Sequence, residues 1–246
     1  MTHYALSAAS ILEAWERGAG QSPLNRALTL LRQTDPAHSL DALACLPVGV
    51  RDKRLWSIRK ATFGDRVTAL ATCRPCGDTL EFSFRVSEVC PAEEPAFPSS
   101  TSWEHDAWSL TFRLPDTLDL AALGDLPATL PPGRMLAARI LESATHDDLP
   151  VSVDELPDEV LYELEARLAE IDPLPDLTFA LQCPHCHHAW EEAFDIASFL
   201  WTEIEAEAHR LLREVGVLAR TFGWSEHDIL QFSPTRRQAY LELAES

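Results

Sequence analysis

Apolar residues recur at a helical period at both ends of the chain and alternate with polar ones in the middle. Ser10-Ile11-Leu12-Glu13-Ala14-Trp15 predicts a short helix stopping near Gly18. Ser22 reads as an N-cap with Pro23 at the first helical position, and Leu24, Ala27, Leu28 and Leu31 then share one face. A third short turn starts at Ser39 and ends before Pro47, and a loop leads into a helix that Gly64 stops. At the other end, Leu200, Trp201, Ile204, Ala208, Leu211, Leu212, Val215, Leu218 and Phe222 mark a long helix ended by Gly223. Ser225 with Asp228, and Ser233-Pro234, are two further helix starts.

Between these ends the period changes. Leu80, Phe82, Phe84 and Val86 alternate with polar residues, as in a half-buried strand. Pro91 to Ser102 reads as a surface loop, and Trp108 to Leu114 as a second alternating strand ending at Pro115. Helical pieces follow at Thr117 to Leu123 and Gly133 to Leu141. Val160, Leu161, Leu164, Leu168 and Ile171 form an apolar stripe starting near Pro157, an amphipathic helix with an anionic outer face.

Two stretches look alike: Thr68 to Phe82, containing Cys73-Arg74-Pro75-Cys76-Gly77, and Thr178 to Glu191, containing Cys183-Pro184-His185-Cys186-His187. Each is an apolar strand, a Cys-x-x-Cys turn and a second strand. Such a turn can set two thiolates about 2.3 Å from one Zn²⁺, and two turns complete a closed tetrahedral site. The reading is therefore one structural zinc on Cys73, Cys76, Cys183 and Cys186. The gap between the pairs is unusual, because a compact ribbon has about 15–20 residues there. The ribbon tip must then carry a large insertion. A redox Cys-x-x-Cys would open a helix, whereas both turns here lead into strands. His185, His187 or His188 replacing a thiolate stays open as an alternative. Four thiolates leave no position for a catalytic water.

Composition narrows the function. A net charge of −19 disfavours nucleic acid and favours basic protein surfaces. Glu142 to Asp176 holds twelve acidic residues against Arg167 alone. Its neighbouring carboxylates Asp147-Asp148 and Asp154-Glu155 lack a glycine-bearing loop or a His partner, which argues against catalysis. Five of the twenty cationic residues lie between Arg51 and Lys60, either as a solvated helix face paired with acids or as a docking surface. Phe199, Leu200 and Trp201 cannot all face one core, so with Trp224, Phe232 and Tyr240 they are either interface anchors or buried. Arg236 and Arg237 are too few for phosphate contacts. Cys45 and Cys90 remain outside the zinc reading, Cys45 as a small core residue. With no basic-then-apolar leader and no bilayer-length apolar run, cytoplasmic synthesis is expected.

Several stretches together carry a resemblance: Leu46-Pro47-Val48-Gly49-Val50-Arg51-Asp52-Lys53-Arg54-Leu55, Thr72 to Gly77, Cys183 to Phe194, Phe194 to Ile204, Gly223-Trp224-Ser225-Glu226 and Ser233 to Leu243. They resemble the T4-family baseplate hub assembly chaperones, phage-type baseplate proteins of contractile tails and tail-like injection particles. The resemblance implies a non-enzymatic role in building the central hub. Its partners would be hub or tail proteins, with no nucleic acid, membrane or small-molecule substrate. Where a small ribbon has Gly after the second cysteine of each pair, this chain has Gly77 once and His187 once. The alternative function is a zinc-ribbon adaptor binding nucleic acid or the transcription machinery. The expected fold is α+β. Helical segments at 1–64 and 197–246 flank a split four-cysteine zinc ribbon at 65–88 plus 177–196, which carries an acidic α/β insertion at 89–176.

Overall fold

The computed structural model describes residues 5–124 and 132–244. Helix α1 (Ala8–Gly18) starts at Ser7, whose hydroxyl accepts from the Ser10 N–H. Helix α2 (Pro23–Thr34) starts at Ser22, which caps the Asn25 N–H, and α3 (Leu40–Ala44) at Ser39, which caps Ala42. Helix α4 (Val48–Phe63) has no such residue before it and ends at Gly64, whose φ of +95° suits only glycine. Strands β1 (Arg66–Thr72) and β2 (Thr79–Arg85) pair as a two-stranded hairpin, and α5 (Val86–Val89) follows.

Next come β3 (Thr101–His105), β4 (Trp108–Phe112), α6 (Thr117–Gly124), α7 (Pro132–Ile140), β5 (Leu141–His146), β6 (Leu149–Pro150) and α8 (Asp158–Ile171). The second hairpin is β7 (Thr178–Gln182) with β8 (Ala189–Ala193). Helices α9 (Ile196–Phe222), α10 (Glu226–Gln231) and α11 (Pro234–Ala244) close the chain. Gly223 at φ +71° ends α9, and Ser225 caps α10 through the Asp228 N–H. Two sequence expectations change. The stretch expected to be loop up to Ser102 already enters β3 at Thr101, and β5 and β6 occupy residues that showed no alternation. Both belong to an antiparallel sheet of order β3-β4-β5-β6, where cross-strand neighbours supply what the local pattern lacks.

The described residues form two compact units. One comprises residues 5–38, Leu55–Arg66 and residues 196–244, and is helical. Helices α1 and α2 pack on α9, and Ile11, Leu12, Ala14, Leu28, Leu200, Ile204 and Ala208 on these helices are buried. Trp201, left open by the sequence between docking and burial, is in this core at 4% exposure. Its ring lies so close to Gly18 that a Cβ there would sit 2.2 Å from it. The Arg26 guanidinium covers the same ring at 4.6 Å and donates to the Gly18 carbonyl. Helices α10 and α11 pack on the far part of α9 around Val215, Leu218 and Ile229.

The other unit comprises Ser39–Arg54 and Val67–Asp195. Its larger core gathers Leu110, Phe112, Ile140 and Ala144 from the sheet region with Val160, Leu161 and Leu164 of α8. The β5–β6 turn is Asp147-Asp148, both at positive φ (+50° and +62°), as a two-residue primed turn requires. Beside this core, Asp119 is fully buried and accepts from Arg113 at 2.6 and 2.9 Å, Arg139 at 2.9 Å and the Asp116 N–H at 3.0 Å. Burial pushes its carboxyl up, but these donors outweigh it and hold the group below the ordinary range.

Candidate metal centre

The two hairpins turn through loops built on one backbone plan. In the first, the Cys73 N–H donates to the Asp78 carbonyl at 2.8 Å and the Gly77 N–H to the Cys73 carbonyl at 2.8 Å. In the second, the Cys183 N–H donates to the His188 carbonyl at 2.9 Å and the His187 N–H to the Cys183 carbonyl at 3.0 Å. Gly77 and His187 both take the left-handed conformation, at φ +78° and +58°. The departure from glycine at His187 therefore leaves the loop geometry unchanged. Tight loops of this kind turn amides toward sulfur: the Cys76 N–H bonds to Cys73 Sγ, and the Cys186 and His185 N–H groups bond to Cys183 Sγ.

Aromatic packing joins the hairpins. Phe84 meets Phe179 at 4.5 Å and Phe194 at 5.3 Å between ring centroids, and Phe82 meets Phe179 at 5.3 Å. The inward positions of the alternating strands supply Phe82, Phe84 and Phe179, and Phe194 follows directly on β8, so strand period leads to loop placement. The result is a cluster of four sulfurs all within 4.8 Å of one another. Cys73 Sγ lies 3.5 Å from Cys186 Sγ, and Cys76 Sγ 3.6 Å from Cys183 Sγ. A tetrahedron with metal–sulfur bonds of about 2.3 Å has edges of about 3.8 Å. The donor set and its spacing fit a four-sulfur metal site. All four predicted ligands are brought together, across sequence separations of 113 and 107 residues.

Burial differs within each pair: Cys73 and Cys183 are buried, Cys76 and Cys186 lie at the surface. Burial pushes the Cys73 thiol up to about 12, against the pull of the Cys76 N–H. The Cys186 N–H, helped by that of His185, brings the Cys183 thiol down to about 7 despite burial. Among the described residues no His, Asp or Glu joins a group of three or more potential ligands. His185 instead faces Asp78 across the loops at 3.7 Å, and His188 stacks on Trp190.

The remaining candidate residues have local roles. Asp147-Asp148 is the primed turn already described. The Glu155 carboxylate accepts from the Ser152 N–H and hydroxyl, which hold its pKa below the ordinary range. The basic segment is largely paired: Arg51 with Asp52, Arg54 with Glu94, Arg59 with Glu203 and Lys60 with Asp65. Arg51 and Arg59 are buried, so two of this segment's five cations are withdrawn from any docking surface, whereas Lys53, Arg54 and Lys60 keep solvent exposure. Cys45, expected in the core, is exposed: it is the C-cap of α3, which turns Leu43 and Ala44 inward and leaves residue 45 outside.

Sequence reasoning missed the cap of α4. Its Gly49 N–H donates to Asp172 Oδ2 at 2.7 Å, from 123 residues away. A Cβ on Gly49 would sit 1.7 Å from Asp172 Oδ1, so glycine is what lets the carboxylate in. The signal available was negative: no Ser, Thr, Asp or Asn precedes Val48, so the helix needed a distant partner.

A family model described as T4 bacteriophage base plate protein matches residues 29–201. The chain belongs to this family. The matched residues include both Cys-x-x-Cys loops and everything between them, whereas α10 and α11 lie outside. Neither a curated protein nor a solved structure matches the chain. A structural or assembly role in a phage base plate follows, with other baseplate and tail proteins as the class of partner. Among the described residues, no helix is long and apolar enough to cross a membrane.

Proposed function

We propose that this base plate protein acts in assembly of the central hub, with a structural Zn²⁺ on Cys73, Cys76, Cys183 and Cys186 closing a split zinc ribbon. The observation that carries the metal reading is the four-sulfur cluster, formed by loops more than a hundred residues apart. Four thiolates satisfy zinc completely, so its contribution is to fold stability and not to chemistry. The ribbon at 65–88 plus 177–196 then acts as a clasp at the base of the acidic insertion at 89–176. That insertion presents an anionic surface suited to basic faces of hub or tail components.

The hub reading rests on the family match together with the stretches that resemble hub assembly chaperones. The deciding experiment is affinity purification of the tagged chain from cells expressing the neighbouring tail genes, followed by mass spectrometry of the captured proteins and of finished particles. Hub components in the captured fraction support the reading. Capture of wedge or sheath components without hub components would move the role elsewhere in the particle.

A further inference from the structure

We propose that the sulfur cluster is a two-state lock: the thiols that clasp zinc close, once a peroxide reaches them, as the inter-hairpin disulfides Cys73–Cys186 and Cys76–Cys183. The proposal rests on the zinc reading only for the metal-bound state. Its geometric basis is a pair of sulfur contacts, 3.5 and 3.6 Å, that run between hairpins inside a cluster whose four sulfurs all lie within 4.8 Å of one another. Each pair joins one exposed sulfur, Cys186 or Cys76, to one buried sulfur, Cys73 or Cys183. That is the arrangement of an attacking and a resolving cysteine.

The chemistry balances. The exposed Cys186 thiolate attacks the peroxide O–O bond, giving a sulfenic acid and hydroxide. The Cys73 thiolate then attacks that sulfur, forms the S–S bond and expels a second hydroxide. Cys76 and Cys183 repeat the sequence. Two peroxides take four electrons from four sulfurs, and Zn²⁺ leaves unreduced. The clasp between the hairpins survives metal loss in covalent form. Zinc would hold it in the reducing interior of a cell, and disulfides in the oxidising surroundings of a released particle.

The test is hydrogen peroxide treatment of the full chain, alkylation of remaining thiols, and trypsin digestion without reduction. Arg74 precedes Pro75 and resists trypsin, so residues 67–85 carry both cysteines of the first loop, and residues 168–210 both of the second. The expected product is one joined mass in place of two separate peptides. Separate peptides with internal Cys-x-x-Cys disulfides, or sulfinic and sulfonic acids alone, would overturn the proposal. A chromogenic chelator reads zinc in the same reaction. Joined peptides with zinc release support lock and metal together, whereas joined peptides without zinc support the lock and remove the metal reading. Pairing within the joined mass is read from double variants. Cys73→Ser/Cys186→Ser should still cross-link, and Cys73→Ser/Cys183→Ser about tenfold more slowly, since it leaves two attacking sulfurs and neither assigned resolving partner. Equal rates in the two would overturn the assigned pairs.

Discussion

Gly77 and His187 occupy one backbone position in two loops, both left-handed, although only one of them is glycine. A non-glycine residue there costs roughly 1–2 kcal/mol. His187→Gly should therefore stabilise the protein by about 1 kcal/mol, a rise in Tm of about 2–4 °C for a chain this long. Gly77→Ala should destabilise it by a similar amount. The same variant decides the role of the imidazole: if His187→Gly lowers bound metal, His187 is a ligand and the four-sulfur assignment is wrong.

Metal content gives the second prediction. The purified chain should carry one tightly held zinc, and Cys183→Ser should lose most of it. Because the ligands come from two distant loops, loss should expose both hairpins to proteolysis and not the second alone. Mapping early cleavage sites after chelation checks this. Unchanged digestion and unchanged Tm in fully stripped protein would show that the metal does not hold the fold.

The cluster was legible in the sequence because Cys-x-x-Cys spacing and strand alternation are local signals. Strand period places Phe82, Phe84 and Phe179 on inward faces, and the loops between strands then carry the thiols to one point. Helix starts at Ser22, Ser39, Ser225 and Ser233 were legible for the same reason. What was not legible depends on distant partners. Asp172 caps α4 across 123 residues, and Asp119 gathers two arginines. Neither of these leaves a periodic trace along the chain.

Asp172 also sets a pH dependence. Burial raises its carboxyl above the ordinary 3.8, against the pull of the Gly49 N–H, and burial raises Asp52 as well. The folded chain then holds these protons more tightly than the unfolded chain. Their contribution is full below pH 3.8 and is lost as pH rises through the raised folded values. Asp119 and Glu155 run the other way: their lowered values stabilise the fold above the ordinary carboxylate range, and that gain is lost as pH falls through the folded values. Asp172→Asn keeps an oxygen for the Gly49 N–H and removes the charge. Its Tm should vary less with pH than that of the parent as pH rises above the ordinary 3.8, with the largest gain once the parent's Asp172 is ionised. Parallel curves would assign the pH dependence to other groups.

Trp201 and Trp224 should behave differently. Trp201→Ala removes a fully packed ring between Gly18 and Arg26 and should cost about 3–5 kcal/mol. Trp224 is half-buried among Phe222, Phe232 and Tyr240, so truncating it should cost less. Urea unfolding of the two variants measures the difference. Similar losses would place both rings in equivalent surroundings, against the packing described.

The last prediction separates base plate assembly from nucleic-acid binding. The paired arginines of α11 are the cations nearest to a helix-turn-helix reading, and both are engaged. Arg237 is 2% exposed and donates to the buried Glu214 at 2.6 Å, while Arg210 holds the other oxygen of the same carboxylate. Arg236 lies over the Phe232 ring at 4.6 Å. Removing one member of a buried pair leaves an uncompensated charge, so Arg237→Ala should lose about 3–5 kcal/mol of stability. Arg236→Ala, an exposed side chain over a half-buried ring, should lose less than about 1 kcal/mol. Neither change should alter affinity for duplex or single-stranded oligonucleotides, which at a net charge of −19 should be undetectable at physiological salt. Fluorescence anisotropy across a salt series checks this. Micromolar, salt-sensitive binding that Arg236→Ala weakens, with the fold intact, would make α11 a nucleic-acid contact and return the adaptor reading to first place.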